Sequence, residues 1–366
     1  MKNVVLCCDG TANEFAQDRT NVVKLFYALE HSPQQAVYYH PGLGTMEPPG
    51  ALTGFAKGVT KLLGLAVGYG LEADVRDAYV FLMNNYEPGD RVFLFGFSRG
   101  AYTVRVVASL LHMYGLLPKG NEPLVPYAIR MLTADAHDRF VLAKGFTDTF
   151  SIPCKPWFVG VWDTVSSVGW KDNPLKVPFT ANNPDIECGR QAISIDERRA
   201  FFRQNLWRPP AAPPPPVPAP PIGPKDVKQV WFPGVHCDVG GGYPEAESGL
   251  AKVALQWMLA EAHSRHLILS KDRTDTVLGL KDQGYVPPDP RADMHESLTG
   301  WWWLAEVVLK KHYNWKTGKT GPHMNLARRR TIPEGSSIHE SAYLRGDEYQ
   351  KRLPSNAVRV FSLPLP

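Results

Sequence analysis

Arg91-Val-Phe-Leu-Phe-Gly96-Phe97-Ser98-Arg99-Gly100-Ala101 carries the most information about the fold of this chain. The apolar residues after Arg91 have the composition of a strand buried on both faces, and Ala101–Tyr114 continues as an amphipathic helical run. Between them stands Gly-x-Ser-x-Gly, a weak pattern alone and a strong one where a strand turns directly into a helix. Such a turn needs small residues on either side of the serine, because Cβ atoms there have no room. The serine then sits at a helix N-terminus, where free backbone N–H groups and the helix dipole favour negative charge. Ser98 is therefore the candidate nucleophile, Gly96 and Gly100 are the elbow glycines, and the Arg99 N–H is a candidate oxyanion donor. An ordinary glycine-rich helix start is the competing reading.

The same alternation runs through the chain. Val4–Cys8, Ala36–Tyr39, Trp157–Trp162 and Val227–Phe232 read as further strands, each ending at a turn, with helical stretches at Thr20–His31, Ala66–Asn85 and Ser194–Leu206. This predicts an α/β fold of the α/β-hydrolase-like kind, a mostly parallel central sheet with helices on both faces and its chemistry at the carboxyl ends of the strands. Arg208–Lys225 holds ten prolines and cannot donate ladder hydrogen bonds, so it reads as a surface loop. Strands resume after it. The tract is thus a proline-rich insertion (208–225) within a single domain (1–366), with 294–345 as a helical region and candidate cap.

The chain has 366 residues, 44% of them hydrophobic and 21% charged, a composition that excludes wholesale disorder. A net charge of +4 with no block of five like charges argues against nucleic acid; Arg328-Arg329-Arg330, the densest basic run, reads as a solvated face. No apolar stretch is long enough for a spanning helix, and Val4–Cys8 reads as a strand rather than a leader, which gives an expectation of a cytoplasmic protein where it is made. Cys7, Cys8, Cys154, Cys188 and Cys237 lack metal spacing and suit a reduced interior. Neither a metal nor a cofactor is expected. Asp9 lacks a second carboxylate at a spacing suited to a cation.

A serine nucleophile needs a base, and the base an orienter. In the order serine, acid, histidine, Asp163 follows the strand Trp157–Trp162 and His236 follows Val227–Phe232, within Gly234-Val-His236-Cys-Asp238-Val-Gly240-Gly-Gly-Tyr243. Asp163 before Thr164 has the duller reading of a turn cap, and Asp238 is the alternative acid. His339 and His295 rank behind His236 because neither follows a strand in this reading, and His40 breaks the order. The second oxyanion donor is expected from Gly10 or Thr11 in Asp9-Gly10-Thr11, unless that segment merely ends a strand.

These residues form an ordered series: Cys7-Cys-Asp9-Gly-Thr11, Thr20-Asn21-Val22, Gly42-Leu-Gly44-Thr45, Gly96-Phe-Ser98-Arg-Gly100, Val161-Trp-Asp163-Thr-Val165, Ile195-Asp-Glu197-Arg198-Arg199 and His236-Cys-Asp238-Val-Gly240. The series resembles the uncharacterised α/β-hydrolase domain family that includes type VI secretion phospholipase effectors. The resemblance implies a serine esterase acting on phospholipids or other carboxylic esters, with Ser98, Asp163 and His236 as nucleophile, acid and base. It also implies secretion by a signal-independent route and an immunity or secretion partner. A binding or assembly protein on the same scaffold is the alternative.

Leu298–Leu309 with Trp301, Trp302 and Trp303, followed by Lys310-Lys311, reads as one amphipathic helix. Its tryptophans suit an acyl pocket or peripheral membrane contact; packing inward as a core helix is the competing reading. Gly42–Gly70 is a candidate flap.

Overall fold

A computed structural model describes residues 1–10, 19–42, 67–133, 136–165, 169–170, 173–174, 177–207, 223–281, 284–300, 302–307, 310–314 and 319–365. Thr11, Trp301, most of Gly42–Gly70 and most of the proline tract lie outside them.

The strands are β1 (Asn3–Cys8), β2 (Gln35–His40), β3 (Arg91–Phe97), β4 (Pro156–Trp162), β5 (Gly169–Trp170), β6 (Asn173–Pro174), β7 (Cys188–Ser194), β8 (Asp226–Phe232), β9 (Lys310–Asn314), β10 (Lys319–His323), β11 (Ser337–His339) and β12 (Val358–Val360). Eight of them form one sheet in the order β2-β1-β3-β4-β7-β8-β11-β12, parallel at every pairing. Two antiparallel ribbons, β5–β6 and β9–β10, stand apart from it.

Both faces of the sheet are covered. Val4, Leu6 and Cys8 of β1 and Val92 and Leu94 of β3 pack under the helices Val67–Asn85, Ser98–Tyr114, Val125–Thr133 and Ala136–Phe150. Val5 and Cys7, with Phe93, Phe95 and Phe97, face the helices Asn21–Ala28 and Gly249–His263. Adjacent Cys7 and Cys8 point to opposite faces, as a two-residue period requires, and both thiols are free. The helix after β1 and the helix after β3 lie on opposite faces, so a crevice opens at the carboxyl ends of these two neighbours, the switch point where open α/β sheets bind ligands.

Two expectations about local structure fail. Ser194–Leu206 is not a helix: Ser194 ends β7, and the chain continues as turns and loop. Buried carboxylates organise that loop, Asp196 accepting from the Gly234 N–H at 2.8 Å and Glu197 from the N–H groups of Arg198 and Arg199 at 3.0 and 2.8 Å. These local bonds take the place of helical ones. The second failure is the expected helical region 294–345, in which the Trp helix runs only from Trp302 to Glu306, Lys310-Lys311 lies in β9, and β10 and β11 follow. Glu306 interrupts the apolar pattern; it is buried and accepts from the Ala200 N–H at 2.6 Å and the Ala327 N–H at 2.8 Å.

Such polar contacts fasten the last third of the chain to the sheet domain. The Asn325 side chain donates to the Arg198 carbonyl at 2.6 Å and Arg198 Nε to the Ala327 carbonyl at 3.1 Å. His295 stands between Asp238, Nδ1 to Oδ1 at 2.6 Å, and Glu247, Nε2 to Oε2 at 2.9 Å, with its ring stacked on Tyr243. Although partial burial opposes protonation, the two carboxylates raise the pKa of His295.

At the elbow the backbone passes itself so closely that side chains are excluded. A Cβ on Gly100 would stand 2.2 Å from the Cys8 carbonyl oxygen and 2.6 Å from that of Asp9. Gly100→Ala should therefore destabilise by about 1–3 kcal/mol in urea unfolding. Gly145→Ala, in open space within a helix, should stabilise by about 0.5–1 kcal/mol. A second prediction concerns His295. Its pKa is raised in the folded state, so its contribution is complete below about 6.5 and is lost as pH rises through the folded value. His295→Gln should lower the urea midpoint more at pH 6 than at pH 9.

Candidate active site

Ser98 opens the helix Ser98–Tyr114 with φ of 57°, in the left-handed region that L-residues adopt at a cost and that the strand-to-helix turn requires. Gly10 lies against it, since a Cβ there would stand 3.1 Å from Ser98 Cβ. Asp163, the residue after β4, also has positive φ, at 38°. Its N–H donates to the Ala192 carbonyl of β7 at 2.8 Å, which fixes the carboxylate at the edge of the sheet. His236 begins a short helix, His236–Gly240, just after β8, and its N–H donates to Glu197 Oε2 at 3.2 Å.

The three side chains meet. His236 Nε2 is 2.9 Å from Ser98 Oγ, and His236 Nδ1 is 2.5 Å from Asp163 Oδ2. Asp163 is 1% exposed and His236 3%. Phe97 and Phe202 flank the imidazole with ring centroids at 4.6 and 4.8 Å. Burial by itself would raise the Asp163 pKa, but Arg330 and His236 hold it well below the ordinary carboxylate range. Burial lowers the pKa of His236 despite Asp163, so the ring is neutral near pH 7. An ionised Asp163 can only accept, so Nδ1 carries the proton and the Nε2 lone pair faces Ser98 Oγ.

The alternatives bond elsewhere. Asp238 is taken by His295 and by the Val235 N–H at 2.9 Å. His339, unlike the sequence reading, does end a strand, β11, but it bonds Ser341 Oγ at 2.9 Å and Ser362 Oγ at 3.0 Å. Its ring lies stacked on Phe232, apart from Asp163. His40 faces Asp74 and Asp77.

Of the oxyanion candidates, the Arg99 N–H lies in the first helical turn, where no carbonyl four residues back is available to it. Burial lowers the pKa of the Arg99 guanidinium to about 10 against the pull of Asp74. The Gly10 N–H donates to Asp9 Oδ1 at 2.7 Å, and Asp9 Oδ2 accepts from Thr20 Oγ1 at 2.5 Å and Tyr39 OH at 3.0 Å. Burial raises the Asp9 pKa to about 6, with these hydrogen bonds opposing it. Among the described residues no group of His, Cys, Asp and Glu is arranged to hold a metal ion.

Trp302 packs edge-on against Phe202 at 5.4 Å, one ring away from His236, while Trp303 is 52% exposed. One residue at the site escaped the sequence reading. Arg330, taken there for part of a solvated face, is 5% exposed and donates through Nη1 to Asp163 Oδ1 and through Nη2 to Oδ2, the latter at 3.0 Å. Arg328 and Arg329 are exposed as expected. Nothing local in Arg-Arg-Arg tells which of the three turns inward.

Residues 2–261 match the family described as T6SS, Phospholipase effector Tle1-like, catalytic domain. Uncharacterized protein YEL023C of Saccharomyces cerevisiae is 37% identical over an alignment of 226 residues that covers 57% of this chain and 33% of the yeast protein. Among solved structures, an uncharacterized protein from Pseudomonas aeruginosa aligns with a TM-score of 0.46 and 20% identity, over 78% of this chain and 49% of that one. The Tle1 effector bound to the VgrG spike from the type 6 secretion system aligns with a TM-score of 0.37 and 18% identity, over 68% and 52%. The chain thus spans a third of the yeast relative and about half of each solved chain. With more than half of its length inside the match, the chain belongs to the Tle1-like phospholipase effector catalytic-domain family of the type VI secretion system.

Proposed function

We propose that this protein hydrolyses carboxylic esters of lipids through an acyl-enzyme on Ser98. The observation that carries the reading is the unbroken relay from Ser98 Oγ to His236 Nε2 at 2.9 Å and from His236 Nδ1 to Asp163 Oδ2 at 2.5 Å. Family membership supports a lipid ester as the substrate class.

In the first half-reaction Ser98 Oγ attacks the ester carbonyl while His236 Nε2 takes the hydroxyl proton. Asp163 keeps the ring in the productive tautomer and stabilises the imidazolium. The carbonyl oxygen becomes an oxyanion at the helix N-terminus, with the Arg99 N–H as donor; of the second candidates, Thr11 lies outside the described residues and the Gly10 N–H would have to leave Asp9 Oδ1 to serve. The imidazolium then protonates the departing alcohol oxygen as the C–O bond breaks. Water, deprotonated by His236, attacks the acyl-enzyme and releases the acid and free Ser98.

Lipid would reach the serine past Trp302. Beside it, Trp303, Val307, Met324 and Leu326 are all between 44% and 55% exposed, and the Leu326 N–H bonds the Glu306 carbonyl, so the turn after β10 and the short helix present one apolar face. Aromatic and aliphatic residues at a rim suit contact with a bilayer surface. No described helix is long and apolar enough to cross a membrane.

Hydrolysis of p-nitrophenyl esters and of phospholipid vesicles tests the reading. Ser98→Ala and His236→Ala should each abolish turnover with the fold retained by circular dichroism, and Asp163→Asn should reduce kcat by about 10⁴ by enforcing the wrong tautomer. Full activity in Ser98→Ala would overturn it.

A further inference from the structure

The catalytic pair described above stands on a residue outside the family match. We propose that Arg330 is a positioning residue: it holds the Asp163 carboxylate so that Oδ2 faces His236, and supplies the charge that lets a water-excluded carboxylate work as the acid of the site. The proposal rests on the reading of Asp163 and His236 as acid and base.

A carboxylate removed from water needs an opposite charge and filled lone pairs. Asp163 Oδ1 accepts from the Ser194 N–H at 2.9 Å, from Ser194 Oγ at 3.2 Å and from Arg330 Nη1; Oδ2 accepts from His236 Nδ1 and Arg330 Nη2. Arg330 is the cation in this set, and its two-point grip fixes the carboxylate plane. The guanidinium is itself anchored: Nε donates to the Phe202 carbonyl at 3.0 Å and Nη1 to the Ser194 carbonyl at 3.2 Å. Phe202 is the residue whose ring packs on His236, so one guanidinium ties acid and base-flanking ring together.

The segment that delivers Arg330 has its own fastening. Glu306, Asn325 and Arg198 lay residues 325–330 along the loop after β7, and Arg203 Nη2 donates to the Arg328 carbonyl at 3.1 Å. Since the match ends at 261 and Arg330 stands beyond it, the site is completed by chain outside the matched region.

Removing the cation makes the Asp163–His236 pair bind a proton more tightly, so the pair should protonate at higher pH. The experiment compares the full chain with Arg330→Gln, Arg330→Lys and Asn325→Ala. It follows the His236 ring titration by NMR and the pH profile of kcat/KM on a p-nitrophenyl ester. In Arg330→Gln the His236 titration and the acid limb of kcat/KM should both rise by about one pH unit or more, and kcat/KM at pH 7 should fall about 10–100-fold. Arg330→Lys should leave the acid limb in place but lose several-fold in rate, because one ammonium cannot grip both oxygens. Asn325→Ala should lower Tm without moving the titration. An unmoved His236 titration in Arg330→Gln would overturn the proposal and leave Arg330 a clamp for its segment. If Arg330→Gln does not fold, a full rate in Arg330→Lys overturns it. A shifted titration in a protein that hydrolyses no ester would support the positioning role and sink ester hydrolysis instead.

Discussion

Where β1 and β3 part, the chain passes itself with no space for a side chain, and the site grows from that passage. The carbonyls of Cys8 and Asp9 lie where a Cβ of Gly100 would stand, and Ser98 Cβ lies 3.1 Å from where a Cβ of Gly10 would be. Only this closeness lets the helix start directly at the end of β3, and a helix that starts there holds Ser98 at φ of 57° with its hydroxyl in the crevice. The parallel register does the rest. β4 and β8 end at the same edge of the sheet, so the residues that follow them, Asp163 and His236, arrive beside the serine from two different parts of the chain. Tertiary constraint supplies the cost of the strained serine backbone.

Charge at this edge is arranged in alternation. Arg330 faces Asp163, Asp163 faces His236, and Glu197 lies under the His236 N–H while gripping Arg199 at 2.9 Å. Arg199 in turn stacks over Phe202 at 3.6 Å. Burial pushes the histidine toward neutrality, whereas the arginine and the histidine outweigh burial at Asp163. The two groups are driven apart in protonation, and that separation is what a base with an orienting acid requires.

Much of this was legible in the sequence, for reasons that can be named. Ser98 and Asp163 follow an apolar strand directly and His236 follows one after three residues, and in a parallel sheet the ends of strands share one edge, so order along the chain carried spatial information. The strand Cys188–Ser194 left no such mark. Arg190, Gln191 and Ser194 break its apolar pattern, yet all are buried, because Arg190 meets Glu261 and Asp226, Gln191 meets Arg105, and Ser194 meets Asp163. Polar residues satisfied across the core look like surface to a pattern argument. The loop after it misled in the opposite direction, its carboxylates binding backbone N–H groups where helical bonds had been expected. Arg330 was illegible for the plainest reason: its partner lies 167 residues away, and a buried arginine has no local signature apart from the acid it finds.

Activation of Ser98 is tested most directly by covalent labelling. Intact protein treated with a fluorophosphonate, followed by peptide mass mapping, asks whether the crevice between β1 and β3 activates one serine. A single phosphonyl adduct on Ser98 is expected, formed quickly in the native protein and not after unfolding. A folded protein that takes no label, or that labels at another serine, would contradict it.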